Sequence, residues 1–508
     1  MRVLGVVGAG TMGAGIAQLG AAAGMPTLLH DPVAAAQRRG AEAARRGLAK
    51  WIEKGRVDPG AVDLLRRVAG MHELRDCDLV IEAAPERAEL KRELFSELSR
   101  CCGPETVLAT NTSSIPVTSL AGAADRPENV VGMHFFNPPA LMRLLEVIRA
   151  EQTGEHALAM ACEVGEAMGK KVILAADAPG FLVNRCSRPF FAEALRLLGE
   201  RVASHEQIDR ICRLGGGFPM GPFELMDLVG VDVGYEVAQS FDELSFGEPR
   251  WRPHPIQARM VAAGRLGRKA GRGYYEYEDE GEGSHRPPDP APPAVGGGDG
   301  IFVALVGTGS VADALRERAR AAGYDLREGG PAELVVDAGT RPAESLPGGA
   351  PALVLCAPTS LAARGEPGAI GFGVLPPLDG CGLVELTRLP GSQSFAAEAA
   401  EGFFTRLGLL CEWVDDAPGL VLGRIACQLA NEACFAVGEG VGAEADVDTG
   451  LMLGLNHPRG PFGWLEAIGA EHACTVLDAL WRERREERYR TAPLLLRRGM
   501  LAGWRPPT

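Results

Sequence analysis

A histidine and a glutamate in adjacent predicted strands are the first candidates for chemistry. His134 lies in the segment GMHFFNPP at residues 132–139, and Glu146 lies in LLEVI at residues 144–148. A carboxylate beside an imidazole fixes its tautomer and stabilises its protonated form, which suits a general base working near neutral pH. Such a pair also occurs in purely structural roles, so these two residues alone leave both interpretations open.

A glycine-rich loop near the N-terminus is the second candidate. The segment VVGAGTMGAGIA, residues 6–17, has the pattern G-x-G-x-x-G between a predicted strand and a predicted helix. The first glycine permits a tight turn, the second lets the backbone approach a pyrophosphate, and the third allows close packing of helix on strand. The sequence therefore predicts dinucleotide contacts from Gly8, Gly10, Thr11, Met12 and Gly13.

One acidic residue predicts which dinucleotide binds. Asp31 closes the next predicted strand, 18 residues after Gly13. A carboxylate at this point accepts hydrogen bonds from both ribose hydroxyls and repels a 2′-phosphate, so NAD is favoured over NADP. The alternative, a solvated aspartate in a turn, fits the same residue.

The elements that must position these residues alternate between apolar runs and amphipathic segments. The runs RVLGVV, PTLLHD, CDLVIEAA, TVLATN and NVVGMHFF predict strands separated by helices. Strands that are apolar throughout and joined by helices predict a parallel sheet covered on both faces, a Rossmann-like doubly wound α/β domain. His134 then ends a strand on the side where such sheets bind ligands. Helical patterns from Asp177 onward predict an all-α domain.

A second part of the chain repeats this order after a break in composition. Residues 278–300, EDEGEGSHRPPDPAPPAVGGGDG, are rich in proline, glycine and acid and predict a linker. DAPGFLVNR at residue 177 matches DAPGLVLGR at residue 416, an offset of 239 that also aligns GPF at 221 with GPF at 460. We therefore predict a tandem duplication with five segments: residues 1–176 (NAD-binding Rossmann domain), 177–280 (helical domain for substrate binding or dimerisation), 281–300 (linker), 301–412 (degenerate Rossmann-like domain) and 413–508 (second helical domain).

The second copy lacks most residues that would do chemistry. Its counterparts are Gly373 for His134, Pro376 for Asn137, Gly423 for Asn184 and Glu385 for Glu146. Its loop LVGTGSVADAL has Ala312 at the third glycine position, and Gly330 stands where Asp31 would be. Because a carboxylate without its imidazole has no proton-transfer partner, we predict one active site and one bound nucleotide per chain.

Composition argues against several classes of partner. The net charge of −14 disfavours nucleic acid, whose binding needs a basic surface. The sequence has no run of 18 or more residues that is free of glycine and charge, so we predict no membrane span. The 12 cysteines show no C-x-x-C spacing, so we predict reduced thiols, no metal site and a cytoplasmic protein. Five glycines within residues 5–15 disfavour a secretory signal.

Six motifs in the first 280 residues resemble those of the L-3-hydroxyacyl-CoA dehydrogenases: GAGTMGAGIA, EAAPERAELK, NTSS, HFFNP, DAPGFLVNR and GPFELMD. The resemblance implies NAD-dependent oxidation of the 3-hydroxyl of an acyl-CoA to a ketone, or the reverse. It implies that His134 is the general base, that Glu146 orients it, and that Ser113 and Asn184 hold the reacting oxygen. From the residues alone, Ser113 could instead be a helix cap and Asn184 a satisfied helix residue.

The same resemblance implies further binding contacts. The additional cofactor contacts are Glu86, Lys91, Asn111, Asn137 and Lys269. For coenzyme A the resemblance implies Lys54, in the basic stretch at residues 45–56, with Ser113 and Asn184 as contacts to the acyl group. Read in isolation, Lys91 and Lys269 fit a solvated surface, and Lys54 fits one charged face of a helix. Gly47 departs from a polar residue common in the family.

The tandem arrangement resembles the long bacterial 3-hydroxyacyl-CoA dehydrogenases of phenylacetate catabolism, which act on 3-hydroxyadipyl-CoA. Short 3-hydroxybutyryl-CoA dehydrogenases share the catalytic motifs, so both substrates stay open. A distal carboxylate could pair with many arginines, among them Arg143, Arg188 and Arg213, and spacing does not choose among them.

Two helical domains in one chain predict an internal pseudo-dimer and leave room for a homo-oligomer. Two rival functions are weighed against the dehydrogenase. Free β-hydroxyacid dehydrogenases use lysine rather than a histidine–glutamate pair, which argues against that class. A non-catalytic nucleotide-binding protein on the same fold is the other rival.

Overall fold

The computed structural model describes residues 2–277, 285–327, 331–341, 343, 346, 349–392 and 394–505. Gly330 and the predicted boundary at residue 280 lie outside the described residues. Contacts divide the chain into two compact units, Met1–Arg185 with Gly440–Leu455, and Cys186–Glu439 with Asn456–Thr508. The five predicted segments stay predictions.

The strands and helices follow one another along the chain in the order that the alternating sequence pattern predicts. The strands are β1 (Leu4–Val7), β2 (Thr27–His30), β3 (Leu65–Arg67), β4 (Leu79–Glu82), β5 (Val107–Thr110), β6 (Val130–Phe135), β7 (Leu144–Arg149), β8 (Lys171–Ala176), β9 (Phe302–Val306), β10 (Asp325–Leu326), β11 (Leu334–Asp337), β12 (Ala352–Leu355), β13 (Ile370–Gly373), β14 (Leu383–Thr387) and β15 (Leu410–Trp413). The α-helices are α1 (Thr11–Ala22), α2 (Ala34–Glu53), α3 (Ala88–Cys101), α4 (Val117–Ala121), α5 (Glu155–Ala167), α6 (Val183–Gly199), α7 (His205–Arg210), α8 (Pro222–Val229), α9 (Val231–Leu244), α10 (Pro255–Ala262), α11 (Ser310–Ala321), α12 (Leu361–Arg364), α13 (Ser394–Arg406), α14 (Leu422–Gly438), α15 (Glu444–Leu455), α16 (Pro461–Ile468), α17 (Ala470–Arg484) and α18 (Pro493–Leu501). Short 3₁₀ turns cover Pro59–Val62, Met71–Leu74, Pro127–Asn129, Pro249–Trp251, Arg268–Ala270 and Glu487–Tyr489, and a π-helical turn covers Ile211–Gly215.

Eight strands form the sheet of the first unit in the order β3-β2-β1-β4-β5-β6-β7-β8. Every residue of β1, β2, β4, β5 and β6 is buried, as expected for strands covered on both faces. The predicted Rossmann-like sheet is confirmed, and one detail is corrected: β6 and β7 are antiparallel, while the other neighbours are parallel. Eight residues, 136–143, join β6 to β7, too few for the crossover that a parallel pair requires.

A helix from far along the chain completes this sheet. α15 packs against β7 and β8 in the first unit, and Ala176 N donates a hydrogen bond of 2.7 Å to Val441 O. Two glycines of α15 allow the close approach, because a Cβ at Gly450 would lie 2.8 Å from Val183 Cγ2 and one at Gly454 would lie 2.8 Å from Leu144 Cδ2.

Seven strands form the sheet of the second unit in the order β10-β9-β11-β12-β13-β14-β15. Its antiparallel pair is β13 with β14, and its other neighbours are parallel. The segment at residues 205–215 lies along β14 and β15: Gly382 N donates to Leu214 O at 2.8 Å, and Gln207 Nε2 donates to Trp413 O at 2.8 Å. This packing parallels that of α15 on the first sheet.

Helical segments from both parts of the sequence also meet inside the second unit. The Arg424 guanidinium of α14 forms ion pairs of 2.8 Å with Glu193 of α6 and with Glu200. Arg424 is fully buried, and its neighbouring carboxylates raise its pKa above the ordinary value although burial acts against this. The helical region predicted after residue 177 is therefore confirmed and is joined to helices near the C-terminus.

Ion pairs fix part of the predicted linker, at residues 285–289. Asp289 contacts Arg213 at 2.8 Å, and Arg286 contacts Glu224 at 2.5 Å. Burial would raise the pKa of Glu224, but a backbone N–H and the Arg286 and Arg213 guanidinium groups hold it below its usual value. Composition predicted a segment without fixed contacts because it has little apolar surface. Ion pairs supply those contacts instead at residues 285–289.

Other features concern the described ranges as a whole. Within them, no helix is both long enough and apolar enough to cross a membrane. No group of three or more histidine, cysteine, aspartate or glutamate side chains in these ranges is arranged to hold a metal ion. All the cysteines are free thiols, and most are buried.

Candidate active site

The predicted histidine and glutamate lie opposite each other across the antiparallel pair β6–β7. The register pairs His134 with Glu146, and His134 Nδ1 donates a hydrogen bond of 2.9 Å to Glu146 Oε2. Both side chains are buried, with 6% of His134 and 0% of Glu146 exposed. The rings of Phe136 and Phe181 lie 4.6 and 6.0 Å from the imidazole. Nδ1 is thus committed to the carboxylate, which leaves Nε2 for proton transfer.

Glu146 also fixes the start of a helix. Its Oε1 accepts hydrogen bonds from Leu182 N at 2.7 Å and from Val183 N at 3.1 Å. A carboxylate at this end of a helix satisfies unpaired N–H groups and interacts favourably with the helix dipole. Since α6 begins at Val183, one buried carboxylate holds both the imidazole and the helical turn that carries Asn184. Asn184 is partly buried.

The glycine loop has the geometry that its pattern predicts. Gly8 has a φ of 98°, and a Cβ there would lie 2.5 Å from the carbonyl oxygen of Ala83. A Cβ on Gly13 would collide with the carbonyl oxygen of Gly8. Around Gly10, by contrast, a Cβ would meet nothing within 4 Å. The loop is therefore tight on its two outer glycines and open at the middle one.

A dinucleotide fits this loop on two further observations. α1 begins at Thr11, directly after Gly10, so its unpaired first N–H groups lie at the loop, where a helix N-terminus favours phosphate. Asp31 Oδ2 accepts a hydrogen bond of 2.9 Å from Ala9 N, which ties the end of β2 to the loop. Each oxygen of that carboxylate has a further lone pair for a ribose hydroxyl.

Glu86 organises the segment NTSS. Its Oε1 accepts hydrogen bonds from Thr112 Oγ1 at 2.6 Å, Ser113 N at 2.9 Å and Ser114 N at 3.1 Å. Burial would raise the pKa of Glu86, but the Lys91 ammonium and these donors hold it below its usual value. Ser113 is partly buried and is positioned by this charged carboxylate.

Lys91 does not lie on the surface. It is 1% exposed, and its Nζ lies 2.7 Å from Glu82 Oε1 and 3.4 Å from Glu86 Oε2. The solvated alternative for Lys91 is therefore wrong. Its single ammonium is shared between two carboxylates, one of which, Glu86, binds the NTSS segment.

The other predicted contacts lie in different surroundings. Asn111 Oδ1 accepts a hydrogen bond of 2.9 Å from Phe135 N, next to His134 on β6. Asn137 and Lys54 are exposed, and Lys54 directly follows α2. Lys269 belongs to the second unit, where its Nζ lies 2.6 Å from Asp232 Oδ1 and lowers the pKa of that carboxyl. The roles of these four residues stay predictions.

Glu82 also belongs to this group of buried charges, although no sequence motif singled it out. This fully buried residue ends β4 and accepts hydrogen bonds from Lys91 Nζ at 2.7 Å, Thr110 Oγ1 at 2.8 Å and Ala84 N at 2.6 Å. A charged residue at the end of the apolar run LVIE was the available signal, because a carboxylate closing a buried strand needs partners.

A sheet of this order with an open glycine loop and a buried imidazole–carboxylate pair is typical of nicotinamide-dependent dehydrogenases. Residues 3–178 match the family model described as 3-hydroxyacyl-CoA dehydrogenase, NAD binding domain. Residues 180–277 and 419–503 match the model described as 3-hydroxyacyl-CoA dehydrogenase, C-terminal domain.

Individual relatives agree with the family models. The chain is 34% identical over 509 residues to the 3-hydroxyadipyl-CoA dehydrogenase of Escherichia coli strain K12, covering 99% of this chain and 98% of the relative. It is 41% identical over 276 residues to a probable 3-hydroxybutyryl-CoA dehydrogenase of Deinococcus radiodurans, covering 54% of this chain and 99% of the relative. The crystal structure of a 3-hydroxybutyryl-CoA dehydrogenase from Escherichia coli K12 superposes with a TM-score of 0.82 at 32% identity, covering 98% of each chain.

The chain therefore belongs to the 3-hydroxyacyl-CoA dehydrogenase family. It is an NAD-dependent 3-hydroxyacyl-CoA dehydrogenase, as its sequence motifs predict.

Proposed function

We propose that the chain oxidises the 3-hydroxyl of 3-hydroxyadipyl-CoA to a ketone, or catalyses the reverse, through Ser113, His134, Glu146 and Asn184. The observation that carries this proposal is the buried hydrogen bond of 2.9 Å between His134 Nδ1 and Glu146 Oε2. It supplies a base of fixed tautomer on β6, at the ligand-binding side of the sheet.

The proton follows a path set by this pair. With Nδ1 donating to Glu146, the lone pair of His134 lies on Nε2, which takes the proton of the substrate hydroxyl as the C–H bond at C3 breaks. Held at the glycine loop by Gly8, Gly10 and Gly13, NAD⁺ would supply the hydride acceptor for that carbon. The Glu146 carboxylate stabilises the imidazolium that forms. In the reverse direction, Nε2 returns the proton to the oxygen.

Ser113 and Asn184 orient the reacting oxygen in this proposal. Glu86 holds the backbone N–H of Ser113 at 2.9 Å, and Glu146 holds the first N–H groups of the helix that carries Asn184. Both polar side chains are thus supported by fixed carboxylates, which favours a precise position over a mobile one.

The cofactor contacts fall into two groups. The direct contacts that we propose for NAD are Gly8, Gly10, Thr11, Met12, Gly13, Asp31, Asn111, Asn137 and Lys269. Glu86 and Lys91 support the cofactor side of the NTSS segment, and we assign Lys91 a positioning role because its ammonium is buried between Glu82 and Glu86.

Coenzyme A has a candidate site near Lys54. A pocket of about 310 Å³ lies in the first unit and is lined by Trp51, Arg56, Arg143 and Lys170, among others. Cationic side chains next to an indole suit a nucleotide phosphate and its base. Lys54 is exposed and directly follows α2, the helix that carries Trp51. We therefore propose that Lys54 binds the nucleotide end of coenzyme A.

The duplication and the pseudo-dimer belong to the same proposal. Both sheets have one antiparallel pair near their final strands, with Glu146 opposite His134 in one and Glu385 opposite Gly373 in the other. α15 packs on β7 and β8, while residues 205–215 pack on β14 and β15. Reciprocal packing of this kind supports an internal pseudo-dimer, in which each helical region serves the sheet of the other copy.

The acyl chain is the least constrained part of the proposal. The full-length relative named for 3-hydroxyadipyl-CoA supports that substrate. The solved full-length structure and the shorter relatives carry the name 3-hydroxybutyryl-CoA dehydrogenase, which supports the second candidate. A place in phenylacetate catabolism and a cytoplasmic location stay predictions.

A comparison of two substrates tests the proposal. NAD⁺ reduction is followed with 3-hydroxyadipyl-CoA and with 3-hydroxybutyryl-CoA, and we expect kcat/KM to be at least about tenfold higher for the first. A higher value for 3-hydroxybutyryl-CoA would favour the second candidate. Absence of turnover with either substrate would contradict the catalytic assignment itself.

A further inference from the structure

Three charged side chains form a cluster at the carboxyl end of β4, the Glu82 triad, which consists of Glu82, Lys91 and Glu86. Lys91 Nζ lies 2.7 Å from Glu82 Oε1 and 3.4 Å from Glu86 Oε2. Glu82 is 0% and Lys91 is 1% exposed. In the part of the chain that the structure describes, no second cation pairs with either carboxylate. One ammonium is therefore shared between two carboxylates.

Both carboxylates of the triad are held in the ionised form. Besides the ammonium, Glu82 accepts hydrogen bonds from Ala84 N at 2.6 Å and from Thr110 Oγ1 at 2.8 Å. An ionised carboxylate, which accepts and does not donate, satisfies all of these donors. Burial would raise the pKa of Glu86, but the Lys91 ammonium and the donors of the NTSS segment hold it below its usual value. The triad therefore has a net charge of −1.

The order of the strands relates the triad to the nicotinamide end of the proposed cofactor site. β2, β1, β4, β5 and β6 are successive neighbours, with Asp31 after β2, the glycine loop after β1 and His134 in β6. With a ribose at Asp31 and the pyrophosphate at the loop, the nicotinamide end extends toward His134, past β4 and β5. Because Glu82 ends β4 and Glu86 binds the NTSS segment after β5, the triad lies at this part of the sheet edge.

The two redox forms of the cofactor differ in charge at their nicotinamide end. The ring of NAD⁺ is a pyridinium cation, whereas the dihydronicotinamide ring of NADH is neutral. A net negative charge in a partly desolvated site attracts the cation and has little effect on the neutral ring. The triad can therefore discriminate between the two forms by charge.

We infer that the Glu82 triad selects the oxidised cofactor: its net negative charge lowers the dissociation constant for NAD⁺ relative to that for NADH. This inference rests on the proposed function, which sets the nicotinamide at this edge of the sheet. Glu82 contacts Lys91 and Thr110 rather than the reacting atoms, so we assign it a positioning role that acts through charge. Tighter binding of NAD⁺ fills the site with the form that oxidation of the hydroxyl requires.

The second sheet has a matched buried carboxylate. Asp337 is the last residue of β11 and pairs with Val306, as Glu82 is the last residue of β4 and pairs with Val7. Asp337 is buried and lies 2.7 Å from Arg364 Nη2. A buried ion pair at this position is thus common to both sheets, whereas we propose a cofactor for the first sheet alone. Asp337→Asn is therefore the matched control for a loss of the carboxylate charge.

Glu82→Gln in the full chain tests the inference, since glutamine has nearly the same shape without the charge. Kd is measured by calorimetric titration with NAD⁺ and, separately, with NADH. We expect the ratio of the Kd for NAD⁺ to the Kd for NADH to rise about tenfold, the effect of one unit charge about 10 Å away at an effective dielectric constant of about 20. The Kd for NADH should change less than about threefold, because its ring is neutral.

Two further variants separate charge from folding. Glu82→Asp keeps the charge and should leave the ratio of the two Kd values unchanged. Asp337→Asn should leave both Kd values unchanged while it lowers the urea midpoint of unfolding, because it removes one partner of a buried ion pair.

The outcomes separate this inference from the proposed function. A ratio in Glu82→Gln that is unchanged or lower than in wild type, including an equal rise of both Kd values, would overturn the role of the triad. If Glu82→Gln does not fold, Glu86→Gln removes the more exposed carboxylate and should raise the same ratio several-fold, and an unchanged ratio there would overturn the inference. A wild-type chain that binds neither nucleotide, or that turns over neither acyl-CoA substrate, would instead contradict the proposed function.

Discussion

Each sheet has a buried glutamate in the same structural role, but the residue opposite that glutamate differs between the sheets. Glu146 accepts hydrogen bonds from Leu182 N and Val183 N, and Glu385 accepts them from Val421 N and Leu422 N. Opposite Glu146 stands His134, whereas opposite Glu385 stands Gly373. Both sheets have a carboxylate that fixes the start of a helix, which is a structural role. Only the first sheet has the imidazole, which proton transfer requires.

Burial also affects the protonation of Glu385. Glu385 is buried without a cationic partner in the described ranges, and burial raises its pKa to about 8 although two N–H groups oppose this. The carboxyl is therefore mostly neutral near pH 7. A protonated acid at this position still accepts hydrogen bonds, but it can neither orient nor stabilise an imidazolium. The second sheet thus has the carboxylate and the helix start but has a glycine where the first sheet has the imidazole.

The largest expected effect is the loss of His134. His134→Ala should lower kcat/KM by a factor on the order of 10³, because no other group on β6 can take the hydroxyl proton. The matched control is Gly373→Ala in the second sheet, where the new Cβ would lie 3.1 Å from Leu420 Cδ1, the end of a flexible side chain. The control should retain full activity. An active His134→Ala enzyme would contradict the assignment of the base.

Removing the charge of the carboxylate should have the next largest effect. Glu146→Gln should lower kcat by a factor of about 10², because the imidazolium loses its counter-charge. For the same reason the acidic limb of the pH–rate profile should move to lower pH. Glu385→Gln should leave kcat and the profile unchanged. Equal losses in the two variants would show that both carboxylates act only through folding.

The pH dependence of the free energy of unfolding should depend on Glu385, the glutamate of the second sheet. Folding raises the pKa of Glu385 from 4.5 to about 8, so its contribution is fully present below pH 4.5 and is lost as the pH rises toward 8. In Glu385→Gln this loss is absent. Its free energy of unfolding relative to wild type should therefore rise by about 3.5 kcal/mol between pH 5 and pH 8 in urea titrations. A constant difference across that range would contradict the burial of a neutral carboxyl.

The smallest expected effect concerns the glycine loops. Ala312 is buried in α11 at the position where the first loop has Gly13. Ala312→Gly should lower the free energy of unfolding by about 1 kcal/mol, the usual cost of glycine inside a helix. It should not create a second nucleotide site, because Gly330 and Pro376 stand in place of the cofactor contacts Asp31 and Asn137. Appearance of such a site would mean that one residue separates the two loops.

Local patterns predicted much of the first sheet and its site. Buried parallel strands have a clear apolar signature, and the loop glycines have backbone requirements that few other residues meet. Long-range pairing has no such signature. The bond from Leu174 N to Asp446 spans 272 residues, and nothing near either residue predicts that α15 packs on the first sheet. The ion pair of Asp289 with Arg213 was missed for the same reason, because the partners are 76 residues apart. The partners of Lys91 are close in sequence, but its burial between Glu82 and Glu86 becomes visible only in the fold.

The central claim is that this chain has one working site, at the sheet that carries His134. Calorimetric titration of the full chain with NADH tests it most directly, because the number of sites is counted without assuming a substrate. We predict one NADH per chain for wild type, and the same stoichiometry for Gly373→Ala and His134→Ala. Two NADH per chain would contradict the account, since the second sheet would then bind the cofactor as well.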